Sequence, residues 1–237
     1  MVKRFVAVGI ILTIMVSTVI GQNSSREMSV EESYLQDAVE LMIIREQSRG
    51  ESRDMKMIAL EYIGDAIERG NKGEEVRAAL EYLAFEGIVN KTRENGRLLN
   101  NYPDVRTKAA AYLGDLGTPE ARSTLIKIIS ADTEPMVLTE AVKSLAKINN
   151  ADIEETINII TRMLSKFDTL NPDNLLALSA LDAYDKLAQI TRGKLDSTTV
   201  QLIIHISEGI YAKPVQAKAR MVLSNIRKYG QESQNKR

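Results

Sequence analysis

Residues 104–148 constrain the possible folds of this chain more than any other segment. Their first part carries apolar side chains at helical spacing, namely Val105, Ala109, Tyr112, Leu113 and Leu116. One stripe of this helix is therefore apolar and needs a covering surface. Gly117 ends the helix, because glycine reaches the left-handed C-terminal conformation without a steric penalty. Thr118-Pro119 then begins another helix with a capping side chain and a first-turn proline.

The same unit recurs along the chain when Ala109 is taken as its reference position. Successive reference alanines are separated by 50, 32, 39 and 39 residues: Ala59, Ala109, Ala141, Ala180 and Ala219. Most of these spacings approach the period of about 40 residues that two-helix solenoid repeats show. An extra loop over residues 87–103 explains the long first interval. Tyr62 and Tyr112 occupy equivalent positions in this register, and we expect both to pack in the core.

Helical periodicity covers almost all of the chain after residue 29. Ser29 and Glu32 form a predicted capping box before the first helix. Helices are predicted over residues 30–46, 54–68, 74–86, 104–116, 119–130, 135–148, 153–166 and 197–211, and from residues 173 and 213 onward. We therefore predict an all-α solenoid of about five antiparallel helix pairs. It forms a repeat domain over residues 29–230, and a polar tail follows over residues 231–237.

The central unit also resembles a known family. The residues that carry the resemblance are Val105-Arg106, Ala109-Ala110, Leu113-Gly114 and the helix opening Pro119-Glu120-Ala121. They are similar to HEAT repeats, in particular to the short type of phycobilisome-lyase-like proteins. In the other units Arg106 is matched by a lysine at position 56 and replaced by Leu138, Ala177 and Gln216. The resemblance implies a curved HEAT/armadillo-like solenoid that binds proteins.

The N-terminus has the three parts of an export signal. Lys3 and Arg4 precede an apolar run over residues 5–20, and permitted residues follow at the cleavage positions. We predict a removed signal peptide over residues 1–21 and a mobile polar segment over residues 22–28. An uncleaved membrane anchor is the alternative, because the run approaches the lower limit of about 17 residues for spanning a bilayer.

The chain contains no cysteine. Disulfide bonds and a lipid-modified cysteine are therefore excluded. Small secreted domains of eukaryotes commonly rely on disulfides, so the composition favours export to a bacterial periplasm. Secretion into the medium, or retention by the N-terminal helix, is the alternative.

The composition offers little for catalysis or nucleic-acid binding. Loss of residues 1–21 would leave 29 basic and 32 acidic side chains, so the basic excess typical of nucleic-acid binding is absent. The one histidine, His205, lies on the polar side of its helix, and no cysteine or second histidine accompanies it as a metal ligand. We predict no catalytic, cofactor-binding or metal-binding residues, and a non-enzymatic protein.

Two exposed groups are predicted to bind a protein partner with an acidic surface. The long loop contributes Lys91, Arg93, Arg97, Leu98, Leu99 and Tyr102, and the inner face of the solenoid contributes Lys143, Lys147 and Lys186. Long connections of this kind are usually functional or disordered. The apolar pair Leu98-Leu99 favours contact, either with a partner or with the protein's own flank. The sequence thus predicts a scaffold or adaptor of the cell envelope. An accessory subunit or regulator of an envelope enzyme, or a small-ligand carrier, is the alternative.

We expect the exported protein to begin near Gln22, because signal cleavage follows the apolar run. N-terminal sequencing of protein from the envelope fraction measures this directly. Retention of Met1 would establish the anchored form instead.

Overall fold

Ten α-helices account for most of residues 29–148 and 152–235, the ranges that the structure, a computed structural model, describes. In chain order they are α1 Val30–Arg49, α2 Arg53–Glu68, α3 Glu74–Ala84, α4 Pro103–Leu116, α5 Pro119–Ala131, α6 Pro135–Lys147, α7 Ile153–Leu170, α8 Asn174–Ile190, α9 Ser197–Glu208 and α10 Lys213–Asn235. A short hairpin between α3 and α4 consists of β1 Arg93–Glu94 and β2 Arg97–Leu98. Within the described ranges, no helix is both long and apolar enough to cross a membrane. The predicted signal peptide and the polar segment after it lie outside these ranges.

The chain divides into two compact units, Met1–Ala38 and Val39–Arg237. In the described part of the first unit, the start of α1 carries the predicted capping box. The Ser29 Oγ accepts a hydrogen bond from the Glu32 N–H at 3.2 Å, and the Glu32 carboxylate accepts one from the Ser29 N–H at 3.0 Å. Each bond satisfies a backbone donor that has no partner within the helix.

Capping side chains and a glycine set the helix boundaries of the second unit. Ser52, Thr118 and Asp173 each accept a hydrogen bond from the backbone N–H three residues later. Gly117 closes α4 in the left-handed conformation with φ of 65°. Pro119 follows in the first turn of α5, where its missing N–H leaves no bond unmade. The predicted tight turn between α4 and α5 is confirmed.

Two layers of helices form the second unit. Helices α2, α4, α6, α8 and α10 pack successively in one layer, and α3, α5, α7 and α9 pack successively in the other. Most consecutive helices also contact each other across the layers. Because each helix pair contacts mainly its neighbours, the predicted all-α solenoid is confirmed.

Burial at the reference position confirms the repeat register. Five alanines have no exposed surface: Ala59, Ala109, Ala141, Ala180 and Ala219. Four residues earlier, apolar side chains are also buried in α4, α6, α8 and α10, whereas Met55 of α2 is 37% exposed. Small residues let neighbouring helices approach closely, and a Cβ on Gly114 of α4 would lie 2.7 Å from the Ser144 Cβ of α6.

The two equivalent tyrosines differ in their surroundings. Tyr112 packs against the core and over Gly64 of α2, where an added Cβ would lie 2.4 Å from the tyrosine oxygen. Tyr62 is 37% exposed, because α2 is the first helix of its layer. The prediction of core packing is therefore confirmed for Tyr112 and wrong for Tyr62.

Helices α3 and α9 end two or three residues earlier than predicted, whereas α1, α7 and α10 extend further. Helix α3 ends at Ala84 rather than Glu86, and α9 ends at Glu208 rather than Tyr211. The carbonyls of Glu86 and Tyr211 accept hydrogen bonds from side chains of the next helix, so these residues belong to the links. Helix α10 includes residues 231–235, the first part of the predicted polar tail.

Replacing Ala141 by Leu should lower the free energy of unfolding by about 1–3 kcal/mol, because the site has no space for additional methyl groups. Chemical denaturation followed by circular dichroism measures the change. The control Ala131→Leu lies at an exposed position at the end of α5 and should change the value by less than about 0.5 kcal/mol. Equal effects of the two substitutions would contradict the register.

Candidate functional site

The long link between α3 and α4 is an antiparallel hairpin. Two residue pairs join its strands, Arg93–Leu98 and Glu94–Arg97. Asn95 and Gly96 form the turn with φ values of 48° and 81°. Two successive positive φ angles are characteristic of the type I′ turn, whose twist matches that of the flanking strands. The link therefore has a defined backbone conformation.

A buried asparagine holds the base of this hairpin. The Asn100 Oδ1 accepts a hydrogen bond from the Thr92 N–H at 2.8 Å. Its Nδ2 donates to the Asn90 carbonyl at 2.5 Å and to the Glu86 Oε1 at 2.6 Å. Gly87 allows this close approach, because an added Cβ would lie 2.5 Å from the Asn100 carbonyl oxygen. The hairpin base is thus fixed to the end of α3.

Glu86 also belongs to a buried ion pair. The Lys56 Nζ of α2 lies 3.1 Å from the Glu86 Oε2, and both side chains are 2% exposed. Lys56 also donates to the Ser48 carbonyl at 3.3 Å and lies 5.4 Å from the centroid of the Tyr82 ring. These contacts offset part of the cost of removing the ammonium group from water.

The next repeat contains a second buried pair, Arg106 and Asp132. The Arg106 Nε lies 2.7 Å from the Asp132 Oδ2, and Nη2 lies 3.3 Å from Oδ1. Nη1 donates to the Glu86 carbonyl at 3.0 Å and to the Asn101 Oδ1 at 2.9 Å. The Asp132 Oδ1 also accepts from two backbone N–H groups of its own link, at 2.7 and 3.0 Å. One guanidinium thereby joins α4, the hairpin base and the α5–α6 link.

The sequence identified Lys56 and Arg106 as equivalent but did not identify their partners. Glu86 and Asp132 each follow closely after the end of an odd-numbered helix, and this shared position is a signal that could have been used. In α10 the position equivalent to Lys56 and Arg106 is Gln216. This side chain has no charge, but it still bonds to the link that precedes its helix. Its Nε2 donates to two carbonyls of the α9–α10 link at 2.8 and 3.1 Å.

Six of the predicted partner-binding residues lie on or next to the hairpin: Lys91, Arg93, Arg97, Leu98, Leu99 and Tyr102. The three basic side chains and Leu99 are exposed, whereas Leu98 is half-buried. Tyr102 precedes α4 and packs against the core. The link also exposes Val89, which the sequence reasoning did not select and which is 68% exposed. No ion pair engages the three basic residues within the described ranges.

The other three predicted residues are exposed on even-numbered helices, Lys143 and Lys147 on α6 and Lys186 on α8. Lys147 forms an ion pair with Asp115 of α4, and Lys143 lies 3.4 Å from Glu140. Asp115 lies near the C-terminal end of α4, about 18 Å along the helix axis from its first residue, Pro103, which follows the hairpin link. The structure therefore places these lysines apart from the hairpin residues.

The lone histidine takes part in a polar cluster at the opposite end of the chain. His205 is exposed, and its Nε2 lies 3.1 Å from the Asp168 Oδ2. The other oxygen of this carboxylate accepts a hydrogen bond from the Tyr211 hydroxyl at 2.8 Å. Burial and the neighbouring carboxylate raise the pKa of Tyr211. Among the residues that the structure describes, no group of His, Cys, Asp and Glu side chains could hold a metal ion.

Comparison with known proteins agrees with this architecture. Residues 97–170, from β2 to the end of α7, match the family model described as HEAT repeats. The match and the fold support a HEAT-repeat protein. HEAT repeats are generally protein-interaction scaffolds, and solenoids of this kind offer extended binding surfaces. Among curated proteins and solved structures, none matches the chain.

Replacing Arg106 by Met should lower the free energy of unfolding by about 3–5 kcal/mol, because Asp132 would remain buried without its counter-ion. Urea denaturation measures the change. Lys147→Met is the matched control, since it removes an exposed ion pair worth about 0–1 kcal/mol. A loss at Arg106 no larger than that at Lys147 would show that the buried pair is not required.

Proposed function

We propose that this chain is a non-enzymatic protein-binding scaffold or adaptor, and that the α3–α4 hairpin is its main contact surface. The observation that carries the proposal is a contrast within the hairpin. Its base is fixed by Asn100, Glu86 and Arg106, all of them buried. Its outer part exposes aliphatic side chains and three cations, which form no ion pair within the described chain; Arg93 only donates a hydrogen bond to the Gly96 carbonyl of the turn. A loop held in one conformation loses little entropy on binding.

The exposed chemistry of the hairpin favours an acidic partner segment. Lys91, Arg93 and Arg97 supply positive charge, and Val89 and Leu99 supply aliphatic contact area. Such cations steer an acidic partner toward the surface, while the aliphatic groups contribute to the binding energy after contact. The predicted lysines of α6 and α8 lie on other helices, and two of them, Lys143 and Lys147, are paired with acidic residues. The nearly balanced charge of the whole chain does not favour a nucleic-acid partner.

The proposal includes export to a bacterial periplasm, with Lys3, Arg4 and the apolar run after them removed as a signal peptide. The absence of cysteine supports that compartment. Short helices, such as the 13 residues of α5 and of α6, support the short phycobilisome-lyase-like type of repeat. In the same setting the partner could be an enzyme, in which case the chain would be its accessory subunit or regulator.

One observation favours a small-ligand carrier as a second candidate. A groove of about 520 Å³ lies between α3 and the part of α1 within the second unit. Its lining is mainly apolar and includes Leu41, Met42, Ala79 and Tyr82. Ligand sites commonly have this size and character. Native mass spectrometry of protein purified alone tests the candidate, because a bound small molecule would add a defined mass.

Reversing the charges of Lys91 and Arg97 to Glu should reduce capture of the partner from an envelope extract by roughly tenfold at low salt, because steering by exposed charges is lost. Quantitative pull-down against wild-type bait measures the effect. The thermal midpoint should stay unchanged, since neither side chain is buried.

Lys127→Glu/Arg162→Glu is the matched control, with the same change of charge on exposed positions of α5 and α7. Lys143→Glu/Lys147→Glu tests the two predicted lysines of α6 separately. Equal capture by wild type and the hairpin variant would reject the hairpin as the contact. A loss in the α6 variant alone would assign the contact to that helix.

A further inference from the structure

Exposed apolar side chains are concentrated at one edge of the second unit. Outside α1, four large apolar side chains of the described ranges are more than half exposed: Val89, Leu170, Leu175 and Ile210. Each lies in, or next to, a link from an odd-numbered helix to the following even-numbered helix. The two helices of such a pair run antiparallel, so these links lie at the same edge. Near the links of the opposite edge, the most exposed large apolar side chain in the described part after α1 is Ile190, at 49%.

The last two links of this edge are fixed against each other. The Asn174 Oδ1 accepts a hydrogen bond from the Ala212 N–H at 2.9 Å. The Tyr211 hydroxyl donates to the Asp168 carboxylate at 2.8 Å. These bonds join the α7–α8 link to the α9–α10 link. The adjoining exposed residues form what we call the link patch: Leu170, Leu175 and Ile210.

Two exposed lysines flank the link patch. Lys166 lies one helical turn before Leu170, and Lys213, the first residue of α10, follows shortly after Ile210. Neither lysine forms an ion pair within the described ranges. A lysine side chain can lie along apolar surface while its ammonium group reaches the polar phase. The link patch therefore combines protruding aliphatic side chains with free cations.

The acidic side chains of these two links and the adjoining helix turns are mostly engaged within the protein. Asp168 is 13% exposed and is bound by Tyr211 and His205. Asp173 is half-buried and caps α8 with its carboxylate. Glu208 is the exposed acid of this region in the described chain. The outward charge beside the patch is therefore weakly positive.

We infer that the link patch binds the surface of a lipid bilayer, with its three aliphatic side chains inserted among the headgroups and the upper acyl chains. Ile210 is 83% exposed and Leu170 is 72% exposed, so both protrude from the protein. A protein partner would need a matched pocket for each of them. A fluid lipid layer accepts protruding aliphatic groups at any spacing, and Lys166 and Lys213 can contact the lipid phosphates.

The composition of the link patch also favours lipid over a protein partner. Residues that dominate protein–protein binding energy are enriched in Trp, Tyr and Arg, whereas Leu is under-represented. The link patch is purely aliphatic. The aromatic residue beside it, Tyr211, is only 5% exposed.

The contact uses no residue of the hairpin, although the hairpin lies at the same edge. A protein held by the hairpin would therefore be placed beside the membrane that the link patch binds. Binding to lipid and capture of a protein partner depend on different side chains. Either property can fail while the other remains.

The chain contains no tryptophan, so a single introduced tryptophan reports on its own position. The probe is Ile210→Trp in the full chain, mixed with vesicles of phosphatidylethanolamine and phosphatidylglycerol. We expect its emission to shift to shorter wavelength and to be quenched by lipids with brominated acyl chains, because the side chain enters the bilayer. Ile190→Trp, at the opposite edge, is the matched control and should show neither change.

Two results of this experiment would overturn the inference. The first is a short-wavelength emission of Ile210→Trp before vesicles are added, which would show that another part of the chain covers the link patch. The second is an equal response of the two tryptophan variants to the vesicles.

Sedimentation with vesicles measures how much the link patch contributes. Leu170→Ser/Ile210→Ser should lower the partition into vesicles by at least about tenfold, because two aliphatic side chains are lost from the contact. Lys166→Glu/Lys213→Glu should lower it by roughly tenfold on these anionic vesicles and by less on vesicles of phosphatidylcholine alone.

The matched controls carry the same kinds of change at the opposite edge. Ile190→Ser and Lys186→Glu/Lys194→Glu alter exposed residues there and should change the partition by less than about twofold. Every variant keeps residues 1–28, so a contribution of that segment to binding is the same in all of them. Equal partition of wild type and Leu170→Ser/Ile210→Ser, together with an unshifted Ile210→Trp emission, would also overturn the inference.

Discussion

A single buried guanidinium connects three parts of this molecule that are distant in sequence. Burying a charge is costly unless it is paired and its remaining donors are bonded. Arg106 meets this requirement only when the hairpin base, α4 and the α5–α6 link are all in place. No part of this arrangement can move alone without leaving a charged group unsatisfied. The position of the hairpin is therefore determined by the packing of the repeats beneath it.

The repeats after α5 reach the same architecture by other means. Leu138 and Ala177 replace the buried cation and have no exposed surface. Between α7, α8 and α9, a chain of buried hydroxyls takes over the polar connection, because Thr161 lies 2.8 Å from both Tyr184 and Thr199. Burial raises the pKa of the Tyr184 hydroxyl, so it stays protonated in this chain of bonds. The same two-helix repeat can therefore be packed with buried ion pairs, with apolar side chains or with hydrogen-bonded hydroxyl groups between its helices.

Local sequence signals are sufficient to predict the helices, but they do not predict the hairpin and the buried ion pairs that hold it. Caps such as Thr118 and the small reference alanines act within a few residues, so the sequence alone predicted the helix order and register. The Arg106–Asp132 pair joins residues 26 positions apart, and scattered acids cannot be matched to bases without coordinates. The two-residue strands are too short to show alternation, and only the Asn95-Gly96 pair signals a hairpin turn there. Tyr62 and Tyr112 occupy equivalent repeat positions and differ in exposure only because α2 is the first helix of its layer. A local sequence pattern does not show which repeat comes first.

The way in which the hairpin is anchored also determines how it would respond to mechanical force. In addition to the backbone on either side, the Asn100 and Asn101 side chains connect the hairpin to the rest of the structure, so a pull on its tip would load these bonds. From there the load would divide between Glu86 with Lys56 and Arg106 with Asp132. Two pairs that share a load in parallel yield only when both break. The hairpin is therefore built to resist tension rather than to act as a hinge.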